Sequence, residues 1–244
     1  MRLADKTAVV TGAAGRNIGR AIAEAFLAEG AKVATIDIRE SSQPWPDGEP
    51  LALTADVADT DALIAALRRV SLELGTIDVL VNAAAITHRK PFLEVTLDDW
   101  DRVHAVDLRA YFVATQWVAQ RLVEQGRPGS IVNVASMNAT IVTRGQSHYC
   151  AAKGGVLQLT RAAAVELAEY GIRVNALSPG VVETDMNREL LADPAFRELR
   201  TLPVPLGRIG QPHELAPAAV LLASDESSFI TGANIVVDGG QMVC

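Results

Sequence analysis

Cysteine is almost missing from this chain, which holds only Cys150 and Cys244. They lie far apart and form no metal-ligand spacing, so no disulfide framework and no metal centre is predicted. Such sparse use suits a reducing compartment. An excess of cations is missing too: 22 Lys and Arg stand against 29 Asp and Glu, a formal net charge of -7. No local basic stretch reverses this. An acidic chain repels phosphate backbones, so nucleic acid is excluded as a partner. No apolar run approaches the ~18–20 residues that span a bilayer, and the opening residues Met1 to Lys6 do not read as a signal peptide. The expectation is a soluble cytoplasmic protein with no membrane contact. Internal repeats and linker-like shifts in composition are also lacking. The Ser41–Pro50 stretch reads as a loop, because the pattern on either side of it is continuous.

What is present is an ordinary globular balance of 49% hydrophobic and 21% charged residues over 244 positions, enough for one well-buried domain. Strand-like runs at Thr7–Thr11, 32–36, Leu51–Thr54, 79–81, 130–134, 173–177 and Asn234–Val237 alternate with helical patterns. Those patterns include 18–29 and 59–74, the latter with Asp59 or Thr60 as a cap. Strict alternation predicts a parallel sheet of about seven strands covered on both faces. This is a doubly wound α/β Rossmann fold in a single domain.

Between the first strand and the first helix lies Thr11-Gly12-Ala13-Ala14-Gly15-Arg16-Asn17-Ile18-Gly19. Glycines there let the backbone approach a pyrophosphate, and the helix N-terminus supplies free N–H groups. A tight β-to-α turn would have the same composition, but its place after the first strand favours a nucleotide. Asp37 ends the second strand, where a carboxylate can accept both ribose hydroxyls of an adenosine and repel a 2′-phosphate. This favours NAD over NADP, with Arg16 and Arg39 nearby to soften the preference. Asp56 and Val57 follow the third strand. Asn82, Ala83, Ala84 and Ala85 follow the fourth, small enough to leave room for a flat ligand.

Tyr149 and Lys153 are four apart, so on a helix they share one face. A nearby ammonium lowers a phenol's pKa from its reference near 10, and a tuned tyrosine can then move a hydroxyl proton as hydride transfers. Ser136, at the end of the fifth strand, is placed to hold the substrate oxygen.

With these residues in this order, the chain resembles the single-domain branch of the short-chain dehydrogenase/reductase family over nearly its whole length. The resemblance rests on Thr11-Gly12, Asp56, Asn82 to Ala85, Ser136 thirteen positions before Tyr149, Pro179-Gly180, Thr184, Thr231-Gly232 and Val237-Asp238-Gly239-Gly240. It implies that Asp56 contacts adenine and that Thr184 contacts the nicotinamide amide. It also assigns Pro179, Gly180 and Val182 to the cofactor. Two departures stand out. Gly19 lies seven positions after Gly12 rather than six, with Asn17 near the usual middle glycine. Asp107 replaces the asparagine that anchors a water in the family's proton relay to the lysine. We expect Asp107 to occupy that relay position; capping a helix kink is the alternative.

The resemblance places His88, Asn138 and His148 among candidate substrate contacts, with Ser136 and Tyr149. The 185–202 stretch, charged at helical spacing and flanked by Pro179 and Pro203, is a candidate lid over the pocket, with a fixed surface helix as the alternative. It also implies a homotetramer built on the Ala-rich faces of 108–122 and 151–167. The predicted activity is NAD-linked oxidation of a secondary alcohol, on a sugar, sugar acid or other small polyol. A 3-oxoacyl thioester reductase using NADPH is the rival enzyme reading, and a non-catalytic dinucleotide sensor is the rival from another class.

Overall fold

The sheet is parallel, and its inner strands β1, β4, β5 and β6 are buried on both faces while the edge strands β3 and β7 are partly exposed. The computed structural model describes residues 1–41 and 43–243; Ser42 and Cys244 lie outside the described residues. Seven strands form one parallel sheet: β1 (Thr7–Thr11), β2 (Lys32–Asp37), β3 (Leu51–Thr54), β4 (Val79–Asn82), β5 (Gly129–Val134), β6 (Ile172–Pro179) and β7 (Asn234–Val237). Their spatial order is β3-β2-β1-β4-β5-β6-β7. Among the described residues the α-helices are α1 (Ile18–Ala28), α2 (Thr60–Leu74), α3 (Leu97–His104), α4 (Ala110–Glu124), α5 (Ser147–Leu167), α6 (Arg188–Leu191), α7 (Pro194–Thr201) and α8 (Ala216–Ala223).

Alternate residues of each strand feed two cores. Val9, Leu80, Ile131 and Val174 pack against Leu67 and Val70 of α2 and Val118 and Leu122 of α4. Ala8, Val10, Val81 and Val132 pack on the other face against Ile22 and Phe26 of α1 and Ala219 and Val220 of α8. Local signals set the helix starts. The Asn17 side chain accepts from Arg20 N at 2.8 Å, and the Asp59 side chain accepts from Asp61 and Ala62 N–H. Asn17 is thus the cap of α1, which explains why asparagine tolerates the place near the usual middle glycine. Arg20, itself buried, lies 4.1 Å from the Trp45 ring and so ties the 41–50 loop to α1.

The chain reverses its winding between β1 and β4, and the C-terminal ends of these two strands flank a crevice. Above that edge sit the loops after β4, β5 and β6, with α6 and α7. One boundary differs from expectation: β5 ends at Val134, two residues before Ser136. The 185–202 segment holds two short helices, because Asp193 caps a new helix with Pro194 in its first turn. Between α3 and α4 the chain makes one wide π-helical turn over Ala105–Arg109, in which Ala110 N–H bonds to Ala105 O. Among the described residues, no helix is long and apolar enough to cross a membrane.

Candidate active site

A cleft of about 1110 Å³ opens along the C-terminal edge of the sheet, reaching from Asp37 and Asp56 to Tyr149 and Lys153. Its nucleotide end is shaped by backbone. Gly12 has a left-handed φ of 72°, and a Cβ there would fall 2.5 Å from Ala84 Cα, so β1 and β4 approach closely only through glycine. The Thr11 hydroxyl accepts from the N–H groups of Ala83 (3.0 Å) and Ala84 (3.2 Å), locking the two strand ends together. At Gly15 a Cβ would meet the Asp185 carboxylate at 2.6 Å. That carboxylate accepts from Arg16 N at 2.8 Å, and Asp185 N–H donates to Arg16 O at 3.1 Å. The one-residue-longer turn is therefore bolted to the base of the 185–202 segment. Asp37 is held by two backbone donors, Ala14 N at 3.0 Å and Arg39 N at 3.1 Å. With no acidic residue in the first turn of α1, this end fits an anionic dinucleotide.

At the chemical end, Ser136 Oγ accepts from Asn138 N at 3.1 Å and its hydroxyl lies beside the Tyr149 phenol. Lys153 is buried. Its ammonium donates to Val134 O and to Tyr111 Oη, both at 3.0 Å, and lies 3.4 Å from Asp107 Oδ2. It stands 5.7 Å from the centre of the Tyr149 ring. Burial pushes the Tyr149 phenol up to about 12, while Lys153 and the Ser136 hydroxyl pull it down and Asp107 pushes it further up. The expected lowering by Lys153 is present, but desolvation outweighs it.

The π turn aims Asp107 inward. Its Oδ1 accepts from Ile86 N at 2.9 Å and its Oδ2 faces the Lys153 ammonium. Burial raises the carboxyl to about 6 against the pull of Lys153. Tyr111, one turn on, was not foreseen, although its four-residue spacing from Asp107 repeats that of Tyr149 and Lys153. It takes a bond from the lysine and lies 3.1 Å from both Ala84 O and Val134 O. Burial, then Asp107, hold its phenol neutral.

Several sequence candidates share the cleft walls: Gly12, Asn17, Ile18 and Gly19; Asp37, Asp56 and Val57; Ala83 and Ala84; Pro179, Gly180, Val182 and Thr184. His88, Ser136, Asn138, Tyr149 and Lys153 line it as well. Others stand back from it. Gly15 and Arg16 lie outside these walls, and Arg16 borders a separate surface recess with Arg20 and Glu24. Asn82 is buried and spends its amide on Thr115 and Asn133. Asp107 lies behind Lys153. His148 is fully buried with its ring 4.4 Å from that of His88, so it meets the cleft only through that neighbour. The Asn138 amide is spent on Gln146 (3.1 Å) and Thr143 (2.8 Å), and Gln146 donates to Thr87 Oγ1 (2.8 Å). Asn138 thus braces the Ser136 loop, which a sequence position alone does not reveal.

A family model described as enoyl-(acyl carrier protein) reductase matches residues 12–242. The chain belongs to the short-chain dehydrogenase/reductase family. Members of this family with known activities resemble it along their whole length. The chain is 40% identical to D-threitol dehydrogenase of Mycolicibacterium smegmatis, over 99% of this chain and 95% of that one. It is 41% identical to a 3-oxoacyl-[acyl-carrier-protein] reductase of Thermotoga maritima, over the full length of both. A crystal structure of a gluconate 5-dehydrogenase from Burkholderia cenocepacia, in complex with NADP and tartrate, superposes with a TM-score of 0.92 at 35% identity, covering 100% and 97% of the two chains. The protein is an oxidoreductase of alcohol and carbonyl groups built on a Rossmann fold.

Asp107 gives a test of this short-chain dehydrogenase site. A folded carboxyl pKa near 6, above the unfolded value of 3.8, means its neutral form is favoured in the fold. Its stabilising contribution is complete below about pH 4 and is lost as pH rises through about 6. Asp107→Asn keeps the acceptor for Ile86 N and cannot ionise. The stability of wild type relative to this variant therefore falls between about pH 4 and 6 in denaturant titrations, then levels off, and the variant keeps turnover within about tenfold. A pH-independent difference, or complete loss of activity, contradicts this role.

Proposed function

We propose that the enzyme is an NAD-linked dehydrogenase of a secondary alcohol in a sugar, sugar acid or other small polyol. The carrying observation is the polar wall of the substrate end, where Thr87, His88, Ser136 and Gln146 face the same space as Tyr149. Hydroxyl-rich molecules need such partners, since a buried polar group left unpaired is costly. The threitol and gluconate dehydrogenases among its relatives support this reading. The apolar inner side of the lid, with Leu190, Leu191 and Phe196, keeps the thioester reductase reading as the competitor.

In this mechanism Ser136 holds the substrate oxygen and Tyr149 takes its proton in oxidation or returns it in reduction. Lys153 holds positive charge beside the phenol, with Val134 O and Tyr111 fixing its position. Asp107 takes part of the balancing negative charge. A bound nicotinamide dinucleotide would accept or give the hydride, and its oxidised ring would add a positive charge that favours the phenolate. Gly12, Asn17 to Gly19, Asp37, Asp56, Val57, Ala83, Ala84, Pro179, Gly180, Val182 and Thr184 would hold it. Asp37 favours NAD through repulsion of a 2′-phosphate, with Arg39 beside it weakening the discrimination. The segment 185–202, anchored to the glycine turn through Asp185, acts as the lid. Phe112 on α4 and Val165 on α5 expose apolar surface on the helices proposed to build a tetramer.

Rates of NADH or NADPH change at 340 nm, over polyols, sugar acids and an acetoacetyl thioester, test the proposal. We expect NAD-dependent oxidation of a polyhydroxy compound, and a loss of at least about 10²-fold in Tyr149→Phe with cofactor affinity retained. Preference for NADPH and the thioester would move the assignment to the reductase class. Hydrogen exchange across 185–202 slows when NAD and substrate bind; unchanged protection removes the lid. Light scattering at working concentration gives four chains, and a monomer rules out the proposed assembly.

A further inference from the structure

Among the arginines that line the cleft, two stand at its lid end and have no part in the proton chemistry: Arg89, on the loop after β4, and Arg200, on α7. Arg200 is half-buried and makes no ion pair or side-chain hydrogen bond among the described residues. The Arg89 guanidinium has one long contact, 3.5 Å to Arg144 O, and lies 5.7 Å from the Phe196 ring centre. Phe196 and Arg200 are four apart on α7 and so share a face. Arg89 is therefore brought to the side of the lid that carries Arg200.

The neighbouring carboxylates are already committed. Glu183 pairs with Arg197 at 3.1 Å, Asp99 pairs with Lys90 and His88, and Asp185 is bonded to the glycine turn. Burial, and then the charge of the exposed Arg89, pull Arg200 below its ordinary range, so the two like charges act on each other at the cleft wall. Such an arrangement is unfavourable until an anion enters between the two forks, where charge-assisted and bidentate bonds become available.

We infer that Arg89 and Arg200 form an anion subsite for the charged end of a polyhydroxy substrate, a carboxylate or a phosphate ester. The enzyme then acts on the acidic member of a sugar series in preference to the neutral polyol of equal length. This rests on the proposed function and adds the charge of the substrate to it.

The test compares four- to six-carbon aldonates, alditol phosphates and their parent alditols, both by kcat/KM with NAD and by isothermal titration into the NADH-bound protein. An anionic class is favoured at least about tenfold over its alditols, and Arg89→Gln and Arg200→Gln each lower that ratio about tenfold. Because the ratio is taken within one variant, partial misfolding does not imitate the effect. Which anion is favoured separates the carboxylate from the phosphate source. A wild-type ratio near one, or a ratio unmoved by both substitutions, overturns the subsite even if polyols are oxidised. Anion binding that collapses in the variants, without turnover of any panel member, keeps the subsite and overturns the proposed function.

Discussion

The buried ammonium of Lys153 is the constraint on which the rest of the site depends. A cation at 1% exposure is unfavourable unless each of its donors is met. Here Val134 O, Tyr111 Oη and the Asp107 carboxylate surround it. Each partner comes from a different feature of the fold: the end of β5, the first turn of α4 and the π turn before it. Moving Val134 O or Tyr111 Oη would leave a buried donor unmet, and moving Asp107 would remove the countercharge. The sheet edge and the α3–α4 kink are in this sense organised around one lysine.

That arrangement also explains why Tyr149 is not tuned by the chain alone. The ammonium directs its hydrogen bonds to Val134 and Tyr111, and acts on the Tyr149 phenol only through space. Burial wins, leaving the phenol at about 12, and Asp107 adds to the rise. In the proposed mechanism, the phenol would therefore need the positive charge of an oxidised cofactor before it became an effective base. This coupling ties proton transfer to cofactor occupancy. The polar substrate wall and the two arginines on its rim then decide what is brought to that phenol.

Much of this was legible in the sequence. All seven strands stand where their β-branched runs predicted, within two residues at each end, because a doubly buried strand has little else to be. Asp59 as a cap and Asp37 at the strand end follow from local chemistry, whereas Asn17 as the cap of α1 emerged only with the structure. The lysine's surroundings were less legible. A π turn needs tertiary support and leaves no periodicity of its own, so the inward aim of Asp107 was visible only as a departure from a family pattern. The commitment of Asn138 to Gln146 and Thr143, and the burial of His148 behind His88, depend on how the β5–α5 loop folds back. Sequence distance hides that Arg89 and Arg200, 111 positions apart, line one cleft.

The account stands most directly on the electrostatic hold of Lys153 over Tyr149. At saturating NAD, the acid limb of log kcat/KM for alcohol oxidation reports the phenol's ionisation. In Lys153→Met that limb moves to higher pH by about one unit or more, so that the residual rate rises with pH throughout the assay range. An acid limb at the wild-type position in this variant would contradict the central claim.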